Sequence, residues 1–296
     1  MVNFLSLERF ERKEIDYLLQ QAAFMENNLY NLKESYNSKI LAAAFFEPST
    51  RTKLSFFAAA QRLGFSTLDY LPEFSSQKKG ESIEDTIKIL SGYCDVLVVR
   101  HPKNNFFSDI SCDCTLINAG DGTNEHPTQA IIDLYTIKKA FSKIDGLNFL
   151  IVGDLKNGRT VHSLLFALAN YDVYVNLFCP KGLSPDKSFL DKLSNDFLKR
   201  ISFTSKMDLS NIDVLYVTRV QYERFKGKKP KNIENSYVLT PELLSKAKKE
   251  LKILHPLPRL KELPQKIDST PYAHYFQQAR NGVPVRMAIL DYCLKK

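Results

Sequence analysis

Short apolar runs and longer helical stretches alternate along almost the whole chain, and this alternation restricts the fold more than any single motif. "KILAAAFF" has the character of a strand, "TRTKLSFFAAAQRL" of a helix, "STLDYL" of a strand, "GESIEDTIKILSGY" of a helix and "DVLVVR" of a strand. "CTLINAG" and "HPTQAIIDLYTIKKAF" add another strand and helix, while residues 7–34 carry a helical pattern of their own. Strands that alternate with helices need crossover connections, which means mainly parallel sheets. The rhythm restarts at "LNFLIVGDL", followed by "GRTVHSLLFALANY", "VYVNLF", "DKSFLDKLSNDF" as a helix, and "ISFT". "DVLYVTRV" and "LKILHPLP" are two more strands, and "AHYFQQARNGVPVRMAILDYCL" is a helical segment interrupted near Gly282. The expectation is an α/β protein with two doubly wound domains, each a mainly parallel sheet flanked by helices, joined near residues 141–148. A chain of 296 residues is long enough for two such cores.

Charge and cysteine usage narrow the function classes. The formal net charge is +8, which invites a nucleic-acid partner. The excess, however, sits in "KGKKPK" (226–231) and "KAKKELK" (246–252), with no interleaved aromatic platform, and lysine runs of this kind are mostly solvated faces. Neither nucleic acid nor membrane is expected as a partner, since the longest apolar stretches are far too short to cross a bilayer. The N-terminus is charged within eight residues and has no secretory apolar core, so a cytoplasmic location is expected. Cys94, Cys112, Cys114, Cys179 and Cys293 are an odd, scattered set without metal-ligand spacing.

In open parallel sheets, ligands bind outside the carboxyl ends of the strands. Six strand exits in this chain carry Arg, His, Thr or Gln: "EPSTRT", "RHP", "GDGTNEHPTQ", "GDLKNGRT", "TRVQ" and "HPLPR". One or two such exits are ordinary loop chemistry, whereas six suggest a shared site.

Ser49, Thr50, Arg51 and Thr52 stand at the expected start of a helix, where unpaired backbone N–H groups and the positive end of the macrodipole favour an anion. Hydroxyls and one guanidinium fork would complete a phosphate-sized pocket. A simple N-cap explains Ser49 or Thr50 but not Arg51 and Thr52. "GDLKNGRT" (153–160) is a near miss to the phosphate-binding G-x-x-x-x-G-K-[ST] pattern, with Arg159 in the lysine's place. Asp154 would oppose bound phosphates, so a carboxylate suits Arg159 as well and an NTPase is disfavoured. His126 and Gln129 lie three apart on one helical face, with Pro127 suited to the first turn. Without a second ligand at metal spacing, no zinc site is expected there, and a capping segment with a satisfied surface histidine is the plain alternative. Arg100 and Arg219 follow strands, where single arginines are commonly solvent-facing. "SSQKKGES" (75–82) has the composition of a flexible connector, and "HPLPR" that of a stiff strand-to-loop stop. Of 41 Lys and Arg residues only 12 are Arg, so an arginine in this chain is a mild hint of bidentate recognition.

Together these motifs resemble the aspartate/ornithine carbamoyltransferase family, in the family's order and nearly end to end, from "FFEPSTRTKLSF" through "KKGES", "RHP", "NAGDGTNEHPTQ", "VGDLKNGRTVHSL", "TRVQ" and "HPLPR" to "YFQQARNG". The resemblance implies a carbamoyl phosphate-binding domain of residues 1–140 with the C-terminal helix 273–296, and an aspartate-binding domain of residues 141–272. It implies that Ser49, Thr50, Arg51 and Thr52 hold the phosphate of carbamoyl phosphate, and that Arg100 bridges phosphate and carbonyl oxygen. His126 and Thr52 would donate to that oxygen, while Gln129 and the backbone carbonyls of Pro256 and Leu257 orient the carbamoyl nitrogen. Arg159, Arg219 and Gln221 would hold the carboxylates of L-aspartate. Ser75 and Lys79 lie on the loop that in this family reaches a neighbouring subunit's site, which implies a homotrimer with shared sites. A separate regulatory chain is compatible with the family, and no cofactor or metal is implied. Proline at 256, where ornithine enzymes carry cysteine, and the "KKGES" loop favour aspartate over ornithine as acceptor. The implied reaction yields N-carbamoyl-L-aspartate and phosphate, an early step of pyrimidine synthesis.

Overall fold

The structure, a computed structural model, describes residues 2–225 and 233–295, so the basic run 226–231 lies outside the described residues. The chain forms two compact units, residues 1–132 with 281–296 and residues 133–280. The first division falls eight residues before the expected 140/141 boundary, and the second at 280/281 rather than 272/273.

In the first unit, strands β1 (Ile40–Phe45), β2 (Ser66–Tyr70), β3 (Val96–His101) and β4 (Thr115–Asp121) form a parallel sheet in the order β2-β1-β3-β4. Strands β1, β3 and β4 are buried along almost their whole length, as strands of a crossover sheet covered by helices are. Helix α1 (Arg12–Asn27) starts with a Glu11/Glu14 capping box, five residues later than the apolar pattern from Leu7 suggests. Helix α2 (Arg51–Leu63) ends at Gly64, whose left-handed φ of 93° suits glycine, and α3 (Ile83–Ser91) leads into β3. After helix α4 (Pro127–Phe141), which contains the 132/133 division, the chain returns to this unit only at its end.

The second unit holds β5 (Asn148–Val152), β6 (Tyr174–Phe178), β7 (Ile201–Phe203), β8 (Val214–Val217) and β9 (Lys252–Leu254), parallel in the order β7-β6-β5-β8-β9. Helix α5 (Arg159–Leu168) follows β5. The single helix expected over "DKSFLDKLSNDF" is instead two single turns, α6 (Lys187–Leu190) and α7 (Asn195–Leu198). Ser194 divides them: its extended backbone breaks the spiral, and its hydroxyl accepts the Phe197 N–H to cap the second turn. Helices α8 (Pro241–Leu244) and α9 (Tyr275–Arg280) complete this unit. Helix α10 (Gly282–Lys295) belongs to the first, packed on α1 and α2, with Asp291 accepting from the Tyr36 hydroxyl at 2.8 Å. The helical interruption near Gly282 is therefore also the crossing between units.

Strand order, more than strand content, decides where a ligand can sit. From β1 the first sheet grows toward β2 on one side and toward β3 and β4 on the other. From β5 the second grows toward β6 and β7 on one side and β8 and β9 on the other. Each sheet thus has a switch point, β1/β3 and β5/β8, where diverging connections open a crevice at the carboxyl ends.

Candidate active site

The first switch point carries the residues expected to bind an anion. β1 runs into Glu47-Pro48-Ser49-Thr50, and α2 begins at Arg51. Thr50 occupies the N-cap position with helical φ and ψ of −81° and −58°, and it makes no side-chain cap. The capping alternative for this turn is therefore not what Thr50 does. Thr52 is buried one residue into the helix, and its Oγ1 lies 3.4 Å from His126 Nε2.

Arg100 stands opposite Phe45 in the β1–β3 register, so it flanks the end of β1, and its Nε pairs with Glu47 Oε2 at 3.3 Å. The neighbouring His101 is structural: its ring stacks on Phe106, its Nδ1 accepts the Lys103 N–H, and burial lowers its pKa.

The loop after β4 holds His126 through a braced turn. Asp121 Oδ1 accepts from the Glu125 N–H and the Asn118 amide, and the Asn118 oxygen accepts the Gly120 N–H at 2.7 Å. Buried Glu125 accepts from the Ser6 hydroxyl and the Leu7 N–H, which fastens the turn to the N-terminal segment. His126 is buried, with Thr128 Oγ1 3.5 Å from its Nδ1, so it is not the satisfied surface histidine of the plain alternative. Gln129 sits half-buried on the first turn of α4. Three adjacent strands thus present Ser49–Thr52, Arg100 and His126–Gln129 at one edge of the sheet.

Ser75 and Lys79 follow the edge strand β2. Their segment is two 3₁₀ turns, Pro72–Phe74 and Ser76–Lys79, rather than a featureless connector. Ser75 organises it by accepting from the Tyr70 hydroxyl at 2.7 Å and from the Gln77 N–H, while Lys79 is exposed.

At the second switch point, Gly153 leaves β5 with φ 125°, and a Cβ there would lie 2.2 Å from the Thr218 carbonyl oxygen. Only glycine lets the exits of β5 and β8 approach so closely. Asp154, fully buried, accepts from the Asn157 N–H and amide and from the Gln221 N–H at 3.1 Å. Gln221 returns a bond from its Nε2 to the Asn157 carbonyl at 2.7 Å. In the sequence Asp154 counted only as a charge unfavourable to phosphate; its structural task is to join two exits. Arg159 begins α5 and is buried.

Arg219 makes a two-pronged ion pair with Glu223. The hydrogen bonds that Arg219 donates to Glu223 raise the Arg219 pKa; against burial, the same pair holds the Glu223 carboxyl below its ordinary range. Both groups are charged at neutral pH, so a carboxylate ligand on Arg219 would have to share or displace Glu223.

The β9 exit contributes His255-Pro256-Leu257. Leu257 is left-handed at φ 56°, a conformation that costs a branched residue about 1–2 kcal/mol. His255 and Glu262 were not among the sequence candidates, yet both side chains are buried and lie 3.1 Å apart, Nε2 to Oε1. The only trace of this pair in the sequence is that His255 precedes two prolines. Despite burial, hydrogen bonds from His255 and the Leu260 N–H hold the Glu262 carboxyl below its ordinary range.

All five cysteines are free thiols, and among the described residues no His, Cys, Asp and Glu side chains group in a way that could hold a metal. No described helix is long and apolar enough to cross a membrane.

Comparison with known proteins agrees with this arrangement over both units. The carbamoyl-P binding domain of aspartate/ornithine carbamoyltransferase matches residues 2–139, and the Asp/Orn binding domain of the same family matches residues 145–293. The aspartate carbamoyltransferase catalytic subunit of Thermococcus kodakarensis is 46% identical over 299 residues, covering 98% of this chain and 96% of that one. An aspartate transcarbamoylase from Trypanosoma cruzi, solved with carbamoyl aspartate and phosphate, matches with a TM-score of 0.91 and 37% identity over 98% of this chain and 94% of its own. The catalytic subunit of M. jannaschii aspartate transcarbamoylase matches with a TM-score of 0.86 and 41% identity over 100% and 98%. With both domains matched in order and nearly every residue covered, the chain belongs to the aspartate/ornithine carbamoyltransferase family.

Proposed function

We propose that this protein transfers the carbamoyl group from carbamoyl phosphate to the amine of L-aspartate, giving N-carbamoyl-L-aspartate and phosphate. The observation that carries this reading is the convergence of Thr52, Arg100 and His126 from three adjacent strand exits beside a helix start. Relatives 36–37% identical were solved with carbamoyl phosphate, with aspartate and with N-(phosphonacetyl)-L-aspartic acid, which supports aspartate over ornithine as acceptor.

In this reading the first turn of α2, with Ser49, Thr50, Arg51 and Thr52, cradles the phosphate, and Arg100 spans phosphate and carbonyl oxygen. As the aspartate amine attacks the carbamoyl carbon, negative charge grows on that oxygen, and Thr52, Arg100 and His126 donate to it. The carbon–oxygen bond to phosphate then breaks, and the departing phosphate takes the amine proton. No enzyme nucleophile is required, so rate acceleration comes from positioning and electrostatics. Gln129 and the Pro256 and Leu257 carbonyls orient the carbamoyl nitrogen; Arg159, Arg219 and Gln221 receive the two carboxylates. The product is a pyrimidine precursor, and the site of action is the cytoplasm.

The test is product formation from carbamoyl phosphate with L-aspartate beside L-ornithine, without added metal. Ureido product from aspartate alone is expected. Product from ornithine alone would overturn the acceptor while keeping the phosphate cradle.

The working unit of this proposal is a homotrimer in which Ser75 and Lys79 enter a neighbour's site. Leu68 on the edge strand β2, and Leu71 and Phe74 just after it, lie exposed, Phe74 at 80%, on a surface that a second copy of the chain would cover. Lys79→Ala and Arg51→Ala trimers, each strongly impaired, are expected to regain activity when their subunits are mixed, because some sites then receive both intact contributions. Mixed trimers that stay silent would exclude shared sites.

A further inference from the structure

His255 is gripped from three directions. Its backbone N–H donates to Gln278 Oε1 at 2.8 Å, and Gln278 Nε2 donates to Asp133 Oδ1 at 2.7 Å. Its Nδ1 accepts the Leu257 N–H at 2.8 Å. A backbone N–H can only donate, so Nδ1 carries no proton; the proton is on Nε2, which donates to Glu262 Oε1 at 3.1 Å. That carboxylate oxygen also accepts the Leu260 N–H at 2.8 Å. The imidazole is therefore neutral and in one tautomer.

The chain around it is unusual in a way that gives this bond leverage. Pro256 and Pro258 have no N–H, so Leu257 supplies the one backbone donor of the turn 256–258. The Pro256–Leu257 peptide is trans, and in a trans unit the C=O points opposite to the N–H. Drawing the Leu257 N–H onto buried His255 therefore turns the Pro256 carbonyl away from the imidazole. Leu257 itself is held at φ 56°.

We propose that the His255–Glu262 pair positions the Pro256 carbonyl for the carbamoyl nitrogen by holding the Leu257 amide. His255 is thus a positioning residue, acting through the main chain of its neighbours, and Glu262 fixes its tautomer. This deepens the proposed function and rests on it: the carbonyl's ligand is the carbamoyl NH₂ group, the part of carbamoyl phosphate that inorganic phosphate lacks.

The experiment uses the full chain and two isosteric changes. In His255→Asn the side-chain oxygen stands as many bonds from Cβ as Nδ1 does and keeps an acceptor for Leu257. In His255→Gln the polar atoms lie one bond further out, toward Glu262, and the acceptor for Leu257 is lost. The readout is the affinity for carbamoyl phosphate relative to that for inorganic phosphate, measured by competition. The Asn variant is expected to keep the wild-type preference within about threefold, whereas the Gln variant loses about tenfold, the effect of one hydrogen bond. Phosphate affinity stays unchanged in both, because the cradle is built from other residues. Equal loss, equal retention or the reverse order would overturn the proposal. A wild-type protein with no preference for carbamoyl phosphate would instead sink the functional reading beneath it. Should His255→Gln fail to fold, ¹⁵N-histidine NMR of the wild type decides: an unprotonated Nδ1 at His255, identified by its absence from the Asn variant, is expected. A protonated Nδ1 would overturn the proposal.

Discussion

Arg51→Ala is expected to lower turnover by roughly 10²–10³-fold while leaving the thermal midpoint unchanged or slightly raised. The two halves of this expectation have separate causes. Arg51 is the first residue of α2 and exposed, whereas the face of α2 that supports the fold is Thr52, Phe56, Ala59, Ala60 and Leu63. A cation at a helix N-terminus opposes the macrodipole, so its removal should recover about 0.3–1 kcal/mol, and alanine is the stronger helix former. An arginine kept at such a position is explained by an anion that binds there. Steady-state kinetics and a melting curve on the same preparation check both halves. Near-normal turnover would refute the phosphate cradle, and a large drop in the midpoint would mean that Arg51 supports the fold instead.

Asp133→Ala is expected to be the most destabilising of the changes considered. Asp133 is fully buried, accepting the Tyr216 hydroxyl proton at 2.9 Å on one oxygen and Gln278 Nε2 at 2.7 Å on the other. Burial pushes Tyr216 well above its ordinary pKa, so its hydroxyl remains a donor across the whole working pH range. Truncation strands two buried donors, each at about 1–3 kcal/mol, or roughly 2–6 kcal/mol together. Asp133→Asn keeps one acceptor oxygen and should fall between. Denaturant midpoints of the three proteins are the measurement. A loss below about 0.5 kcal/mol for the alanine variant would show that the two donors find other partners, since surface changes away from such features fall in that range. The same change loosens Gln278, which holds the His255 N–H, so a weakened preference for carbamoyl phosphate should accompany the lost stability.

What could be read from the sequence was what depends on neighbours along the chain. Short continuous apolar runs against the 3.6-residue helical pattern separated strands from helices, because a strand covered on both faces is apolar throughout whereas a helix buries one stripe. The polar clusters at strand exits were visible for the same reason: Ser49–Thr52 and "EHPTQ" are local statements, and helix starts attract anions wherever they occur. Local pattern also misled. "DKSFLDKLSNDF" has helical spacing, but Ser194 caps a new turn in its middle, and propensity yields to a side-chain bond at that point.

What the sequence could not contain was partnership across distance. That β1 lies beside β3, and β5 beside β8, is a pairing between strands far apart in the chain, and only this order makes switch points of those exits. Whether Arg219 stands alone or on Glu223, and whether Asp154 opposes a ligand or ties Gln221 to Asn157, depends on which loops meet. His255 shows the limit most clearly. Its neighbours in sequence are two prolines and a leucine, while its tautomer is set by Glu262, and its main chain by Gln278 across 23 positions. Sequence alone determined the periodic elements and the chemistry offered at their ends, because both depend on adjacent residues. Tertiary structure decided which of those ends converge and which polar groups are used up on one another, because burial forces each polar atom to find a partner wherever the fold supplies one.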